Sequence, residues 1–368
     1  MLSMLSCDKT AWPDCLSIGN LSKMERRLVK TNGRKLIAPL PNCPNGPNPH
    51  TRRFAYHESN AMIMRALEGP VMSRIAVQCA DSRTCHTFPW IAWFLADYPA
   101  QCTITMLKNG LCPQCEICPD DKPGFALRPR CHHPQRYLHL WTTAAEEAWL
   151  WKFAECPNFA DAHAGCNTYS CMNVDRLHQL LKGLFKDHTW EWIDGFLKAI
   201  CGQEKGLDLI DERFSIIPHF SDIRQVGDKL TCMKQSTGAG YNDMVKVWLP
   251  VLDPLPKGHP DHFKFTKSVT DFILIASYHS HSETALKHLQ DALCGISSNV
   301  YLFLPYRRSH STSKILKNNT LLHYMECIRE MGSAEISDTE MSEAAQKNLI
   351  EDVYHSFNKV NHVPQMWW

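Results

Sequence analysis

Short apolar segments follow one another through the first 81 residues in an order that restricts the fold more than any other feature of the chain. Three strand-like runs, a helical pattern and a fourth strand-like run occur in turn at Met1–Ser6, Cys15–Ile18, Lys35–Leu40, Glu58–Met72 and Arg74–Ala80. Continuous or alternating apolar runs indicate strands, whereas apolar residues three and four positions apart indicate a helix. The sequence therefore predicts an α/β fold.

An aspartate closely follows the first and the fourth of these strands, at Asp8 and Asp81. This order of strands and acidic strand ends is the one in which an RNase H-like fold places its metal ligands. Carboxylates at neighbouring strand ends can share divalent cations, which prefer oxygen ligands. The alternative is that both residues are ordinary polar strand ends, and the pattern alone leaves the two interpretations open.

Beyond these strands the pattern becomes mainly helical. A helix is predicted over Phe88–Tyr98, a strand over Cys102–Leu107 and a loop over Leu249–Pro260. The other predicted helices are Leu138–Ala154, Asp175–Lys186, Trp190–Ile200, Ser268–Ser277, Glu283–Cys294, Leu321–Arg329 and Met341–Phe357. We therefore expect a mixed-sheet core begun by residues 1–107, a Cys-rich loop and largely helical insertion over 108–300, and a helical completion of the core over 301–368.

Composition excludes several classes of protein. With 44% apolar and 21% charged residues the chain is typical of a globular protein, and it has no apolar run of the length that a membrane span requires. The amino-terminal residues lack the pattern of a signal peptide, which predicts an intracellular protein. A net charge of +1 argues against coating nucleic acid by bulk charge, so any contact with DNA must be local.

Cysteine is abundant, with 17 residues, and its spacing suggests a metal site. Cys112 and Cys115 form a C-x-x-C pair of the kind that holds zinc, and Cys102 lies ten residues before it. Further ligands can come from Cys118, Cys131, His132, His133, Cys166 or Cys171. A reduced pair without metal remains the alternative.

Two polar motifs lie on predicted helices. Asp175 and His178 form a D-x-x-H motif, and residues at i and i+3 share one face of a helix. Glu340 and Glu343 lie near the start of the last helix, where acidic residues also occur simply because they suit the helix dipole. A glutamate of this kind can complete a site with two strand-end aspartates.

Several blocks together resemble one protein family. They are SCDKTAWPDCLSIGNLSKMERR, QCADSRTCHTFPWIAWFLADYPAQC, CMNVDRLHQLLKGLFKDHTWEW, LIDERFSIIP, KQSTGAGYNDMVKVWLPVL, LLHYMECIREMGSAEISDTEMSE and SFNKVNHVPQM. In this order they resemble the blocks of the Plavaka group of fungal DNA transposases, within the CACTA-like superfamily. The resemblance extends over nearly the whole chain.

The resemblance implies a DDE transposase of RNase H-like fold in the nucleus, acting on transposon ends and target DNA, with a homo-oligomer as a further expectation. It implies that Asp8, Asp81 and Glu343 hold two Mg²⁺ ions, with Glu340 as the alternative to Glu343. Asp175 and His178 are expected to act at the same site. Arg26, Arg27, Lys182 and Lys186 are the candidate contacts to DNA phosphates.

The sequence also departs from the family pattern. The chain begins seven residues before Asp8, and AAQKNLIED follows Glu343 where the family has arginine-leucine-histidine-isoleucine-aspartate. The segment GISSNVYLFLPYRRSHSTSKILKNN diverges as well. These departures suggest a shortened copy, and they leave open a second interpretation, an inactive or domesticated relative that binds only DNA or a protein partner.

Overall fold

The computed structural model describes residues 3–6, 9–27, 33–41, 55–63, 65, 74–89, 91–105, 107, 112–115, 169–202, 205–221, 223, 238–253, 259–306, 320–340, 343 and 352–356. This part of the chain is mostly helical and contains two small antiparallel sheets. The predicted mixture of helices and strands is therefore present. An RNase H-like mixed sheet is not confirmed, because both sheets formed by the described strands are purely antiparallel.

The first sheet has three strands, β1 (Ser3–Ser6), β2 (Lys9–Ser17) and β3 (Arg34–Pro41), in the order β1-β2-β3. These strands confirm the first three predicted runs, although β2 begins earlier than predicted, since polar residues and a proline interrupt its apolar pattern. Helix α1 (Lys23–Arg27) connects β2 to β3. A capping box starts it, because the Ser22 hydroxyl accepts from the Glu25 amide and the Glu25 carboxylate accepts from the Ser22 amide.

The fourth predicted strand is also present, as β4 (Ile75–Gln78), but its partner is the next strand in sequence, β5 (Thr84–Thr87). Every residue of both strands is exposed. Asp81 lies in its turn, where Ser82 has a φ of 67° and the Asp81 carboxylate accepts from the Arg83 amide at 3.1 Å. Strand β4 therefore pairs with β5 in a local hairpin, whereas the RNase H-like prediction places it in one sheet with the first three strands.

Two predictions between residues 88 and 107 are wrong. No helix covers residues 91–97, where Phe94 is bridged to Met172, and helix α3 (Tyr98–Ile104) covers the start of the predicted strand. The start signal for α3 is Asp97, whose carboxylate accepts from the Ala100 amide at 3.0 Å, followed by a proline in the first turn. Cys102 therefore lies on a helix. Helix α2, residues 55–63, precedes this region as predicted.

Helices of the remaining described chain include α4 (Arg176–Trp190), α5 (Glu191–Cys201), α6 (Lys205–Ser215), α7 (Gly238–Leu252), α8 (Pro260–Ala276), α9 (Glu283–Asn299), α10 (Tyr324–Met331) and α11 (Asp352–Ser356). Short 3₁₀ segments cover Val300–Tyr306 and Ala334–Ser337. Helix α4 is wound as a π-helix, an uncommon form. The predicted loop over Leu249–Pro260 begins later than expected, because α7 continues through Pro250 to Leu252.

The main hydrophobic core runs from Val174 to Ala334 and contains the apolar face of α4 that the sequence predicted. Its largest buried side chains include Trp248, Phe265, Phe272 and Tyr324. Because Tyr324 packs edge-on against Phe272, the core crosses the predicted boundary at residue 300. The three-part division of the chain stays a prediction.

A smaller core, Ala96, Ala100, Ile104 and Met172, lies beside the main one. Backbone and side-chain hydrogen bonds connect α3 to the entry of α4: the Phe94 amide donates to Cys171 O at 2.8 Å, and Gln101 Nε2 donates to Asn173 O at 2.8 Å. This connection places the start of α4 at the junction of the two cores.

Across the described residues, we find no helix with the length and apolar character of a membrane span.

Candidate functional site

Asp175 immediately precedes α4 and acts as its N-cap, with its carboxylate accepting from the Leu177 amide at 3.1 Å. It is 1% exposed, so its carboxylate needs polar partners inside the protein. The second oxygen lies 2.6 Å from His178 Nδ1, one helical turn away. The shared helix face predicted for Asp175 and His178 is therefore present.

The carboxy-terminal segment completes a cluster around this pair. Thr339 Oγ1 donates to Asp175 Oδ1 at 2.7 Å. Glu343 Oε1 lies 3.3 Å from His178 Nε2 and 3.5 Å from Lys182 Nζ. We call Asp175, His178, Lys182, Thr339 and Glu343 the acid–histidine cluster. It joins the D-x-x-H motif to the late glutamate, two features that the sequence separates by more than 160 positions.

Contacts within the acid–histidine cluster determine the charges of His178 and Glu343. Burial alone would lower the pKa of His178, but hydrogen bonds to Asp175 and Glu343 and the charge of Asp175 outweigh burial and raise that pKa to about 9. Burial would raise the pKa of Glu343, yet the hydrogen bond to His178 and the charge of Lys182 lower it on balance. At neutral pH a protonated His178 therefore faces two carboxylates, and Glu343 stays ionised.

A buried ion pair docks the segment that carries Thr339 and Glu343. Arg176 Nε and Nη2 both contact Asp338 Oδ2 at 2.7 Å, and Arg176 Nη1 donates to Asn242 at 3.1 Å. Glu340 lies 3.4 Å from the same guanidinium and is 44% exposed. Of the two candidate glutamates, Glu343 thus contacts His178 and Glu340 pairs with Arg176.

A second cluster contains Cys112, Cys115 and His323, whose potential ligand atoms all lie within 4.8 Å of one another. All three residues are buried, and Cys112 Sγ lies 3.2 Å from His323 Nε2. The hydrogen bond from Cys115 lowers the pKa of the Cys112 thiol well below its usual value, against the effect of burial and together with the charge of His323. Sulfur and imidazole ligands in this arrangement can bind a metal such as zinc.

The ligand set differs from the predicted one. Cys112 and Cys115 come together as expected, whereas Cys102 is fully buried on α3 and does not belong to the cluster. Cys171 also stands outside it, with its thiol directed at Ile91 O at 3.8 Å. Cys118, Cys131, His132, His133 and Cys166 lie outside the described residues. Sequence reasoning missed His323, whose only signal was its place in the block LLHYMECIREM.

The three carboxylates expected to bind Mg²⁺ are not brought together in the described part of the chain. Asp8 lies outside the described residues. Asp81 is exposed in the β4–β5 turn, where its partner is Arg83 at 3.6 Å. Glu343 contacts two cationic side chains instead of other carboxylates. The described geometry therefore does not support a magnesium site.

Three of the four candidate DNA contacts have partners within the protein. Arg26 is half-buried over the ring of Trp93, 5.9 Å from its centroid, and Lys182 belongs to the acid–histidine cluster. Lys186 lies 5.9 Å from the centre of the Tyr241 ring. Arg27 ends α1, and the structure does not describe its side chain. A role of these residues in DNA binding stays a prediction.

Comparison with known proteins gives one match. A family model described as Plavaka transposase matches residues 1–193, just over half of the 368-residue chain. The match includes the two sheets, the C-x-x-C pair and the D-x-x-H motif. No curated protein and no solved structure matches the chain.

Proposed function

The chain belongs to the Plavaka transposase family, and from that premise we propose that it acts as the catalytic part of a DNA transposase. Its reaction would cut DNA strands at the ends of a transposable element and join the released 3′-hydroxyls to target DNA. An RNase H-like core interrupted by a helical insertion would carry this activity. The substrates would be transposon ends and target DNA in the nucleus, with the protein acting as a homo-oligomer.

The observation that carries this proposal is the convergence of Glu343 on Asp175 and His178. These residues come from two separate blocks of the family pattern, yet His178 Nε2 lies 3.3 Å from the Glu343 carboxylate. Polar groups half-buried beside a hydrophobic core cost free energy, so such a cluster favours a functional role. A fixed, ionised Glu343 is what a third catalytic carboxylate requires.

The finer proposal retains Asp8, Asp81 and Glu343 as the catalytic carboxylates. Bound magnesium would stabilise charge on the attacking and leaving oxygens of a phosphodiester. Because Asp8 lies outside the described residues and Asp81 pairs with Arg83 on an exposed hairpin, we assign no reaction step to the metal. The contribution of this chain is the orientation and ionisation of Glu343 by His178 and Lys182.

Zinc is the second cofactor that the resemblance implies. Cys112 and Cys115 are its proposed ligands, and their burial with His323 supports a structural rather than a catalytic role. Of the other expected ligands, Cys102 does not belong to the described cluster, and Cys118 lies outside the described residues.

The test is cleavage of duplex DNA that carries the terminal repeats of the element encoding this chain. Wild-type protein is compared with Asp8→Ala and Asp81→Ala, and with Asp291→Ala as a control on the exposed face of α9. We expect cleavage by the wild type and the control and its loss in the other two variants. Equal cleavage by all four proteins would exclude the proposed carboxylate assignment.

The surroundings of the carboxylates favour a second function, which is binding of DNA or a protein partner without catalysis. One oxygen of Glu343 is shared by His178 and Lys182, and Asp81 is exposed on a hairpin. A relative that retains the fold but binds only DNA or a protein partner would have this geometry. Titration with Mg²⁺ discriminates the two: a thermal shift that Asp8→Ala removes supports the enzyme, and no shift supports the binding protein.

A further inference from the structure

We propose that Cys79 and Cys85 are a site of reversible oxidation, at which a peroxide converts two thiols into a disulfide across the β4–β5 hairpin. Cys79 Sγ lies 3.2 Å from Cys85 Sγ. The disulfide would hold the turn that carries Asp81 in its present conformation. Formation of this bond is separate from the proposed transposase reaction and does not depend on it.

The register of the hairpin explains why the two sulfurs meet. Val77 pairs with Cys85 across the hairpin, and Cys79 follows Val77 by two residues. Side chains two positions apart along a strand point to the same face, so Cys79 and Cys85 are diagonal neighbours on one face. The Cys79 amide also donates to Arg83 O at 2.7 Å, which continues the pairing beyond Gln78. Bond formation therefore needs the sulfurs to approach by only about 1 Å.

Access to solvent separates this pair from the other described thiols. Cys85 is exposed and Cys79 is partly exposed, so a small oxidant can reach both sulfurs. Cys112 and Cys115 also lie close together, but both are buried. Cys294 is exposed, but its sulfur contacts an amide nitrogen of its own helix. Among the described cysteines, Cys79 and Cys85 thus combine a neighbouring thiol with access to solvent.

The reaction balances with a peroxide as the oxidant. One thiolate attacks the peroxide, its sulfur becomes a sulfenic acid, and the oxygen–oxygen bond is reduced. The second thiol attacks the sulfenic sulfur, so the sulfur–sulfur bond forms and water leaves. With hydrogen peroxide, two thiols give one disulfide and two water molecules. Two molecules of a small thiol such as glutathione reverse the reaction through a mixed disulfide and are themselves oxidised to a disulfide.

Oxidation would act on the turn, because an isolated hairpin is only marginally stable and both strands of this one are exposed. Two hydrogen bonds define the turn: the Ser82 amide donates to Cys79 O at 3.0 Å, and the Asp81 carboxylate accepts from the Arg83 amide at 3.1 Å. A disulfide between Cys79 and Cys85 closes a short ring around both contacts. It therefore restricts the open states of the hairpin and keeps Asp81 in its turn.

Trypsin gives the disulfide a direct signature, because it cleaves between the two cysteines. Cleavage after Arg83 places Cys79 in the peptide of residues 75–83 and Cys85 in the peptide of residues 84–108. The full chain is treated with hydrogen peroxide, unfolded in an alkylating agent that blocks the remaining thiols, and digested without reductant. We expect mass spectrometry to find the two peptides joined, and to find them separate when glutathione is added before alkylation.

Two variants and the fragmentation of the joined peptides provide the controls. Fragmentation distinguishes Cys85 from Cys102, the buried cysteine of the longer peptide. Cys85→Ser should abolish the joined species, whereas Cys294→Ser, which removes an exposed cysteine on α9, should leave it unchanged. Separate peptides in the oxidised wild type, or a bond from Cys79 to a different cysteine, would overturn the proposal.

Hydrogen exchange tests whether the disulfide fixes the hairpin, and it needs no variant. Amide exchange of the wild type is compared in the oxidised and reduced states over residues 76–86 and, as a reference, over residues 286–293 of α9. Oxidation should slow exchange in the hairpin about tenfold and leave the reference unchanged, because the ring restricts local opening. Equal exchange of the hairpin in both states would contradict the fixing of the Asp81 turn.

A consequence for DNA cleavage rests on the proposed function, in which Asp81 is a catalytic carboxylate. The disulfide holds Asp81 on an exposed hairpin beside Arg83, so oxidised wild type should cleave DNA at least tenfold more slowly than reduced wild type. Cys85→Ser should cleave equally with and without peroxide. Joined peptides with a wild type inactive in both states would support the disulfide and contradict the transposase. Cleavage without any joined peptide would do the reverse.

Discussion

The hydroxyl of Thr339 donates a hydrogen bond to the buried carboxylate of Asp175 at 2.7 Å. This contact connects the carboxy-terminal segment directly to the N-cap of α4. Thr339 itself is 2% exposed, so neither partner can exchange the bond for one to water. The start of α4 and the segment that carries Glu343 therefore depend on each other.

Thr339→Val removes this donor while keeping the shape of the side chain. We expect the free energy of unfolding to fall by about 1–2 kcal/mol, because Asp175 Oδ1 loses a buried partner. Urea unfolding followed by circular dichroism measures the change. Thr339→Ser, which keeps the hydroxyl, is the control, and an equal loss in both variants would contradict the role of the hydrogen bond.

His178 gives the cluster a pH dependence. Its folded pKa of about 9 lies above the ordinary value of 6.5, so its stabilising contribution is complete below about pH 6.5 and is lost as pH rises through 9. The full contribution is on the order of 3 kcal/mol. NMR titration of the His178 ring should show this high midpoint, and Asp175→Asn should lower it. A His178 midpoint at or below 6.5 would contradict the cluster.

Asp338 and Arg176 form the ion pair that docks the segment. Asp338→Asn should lower the free energy of unfolding by about 3 kcal/mol, since it leaves a largely buried guanidinium without its main counter-charge. Chemical denaturation provides the measurement. The exposed pair of Arg329 and Glu283, at 2.8 Å, is the comparison, and Glu283→Gln should have no measurable effect.

The two candidate glutamates predict different effects on activity. Glu343→Gln should lower the rate of DNA strand cleavage by about a hundredfold or more if Glu343 is the third catalytic carboxylate. Glu340→Gln should leave the rate within severalfold of the wild type, because Glu340 contacts Arg176 on a half-exposed surface. Single-turnover cleavage compares the variants. The reverse order of effects would assign the role to Glu340.

Asp14 in β2 destabilises the sheet at neutral pH. Burial raises its pKa from 3.8 to about 6, so the folded protein holds this proton more tightly and its stability falls as pH rises from about 4 to 6. Asp14→Val should raise the free energy of unfolding at pH 7 by roughly 2 kcal/mol and flatten this dependence. Asp291→Asn, which changes an exposed carboxylate on α9, is the control, and unfolding of each variant is measured at about pH 4 and at pH 7.

Sequence periodicity predicted the helical body because it reports burial directly. The spacing of Leu177, Leu180 and Leu184 placed them on one face, and all three are buried in the main core. Local start signals were overlooked at α3, where Asp97 and the following proline specify a helix although the β-branched residues after Cys102 suggested a strand. In the structure, Ala100 and Ile104 of α3 pack in the smaller core with Met172, a contact that the local sequence does not reveal.

Long-range pairings were the part that the sequence could not provide. The D-x-x-H motif predicted that Asp175 and His178 share a face, but nothing in its spacing indicated that Glu343 would reach His178 Nε2. His323 was likewise 211 positions from Cys112. Both contacts depend on how α10 packs against the core, and at Gly332, with a φ of 91°, the chain turns away from α10 towards Asp338.

The continuity of the main core across residue 300 makes the helices on both sides of it one cooperative unit. Tyr324 covers Phe272 on α8, and Arg176 on α4 depends on Asp338 for its counter-charge. A fragment ending at residue 300 would therefore expose an apolar face and a buried cation at once, and we expect it to aggregate rather than fold. For this protein, shortening the chain from its carboxyl end would remove Glu343 first and would then, on passing Asp338 and Tyr324, break up the helical body.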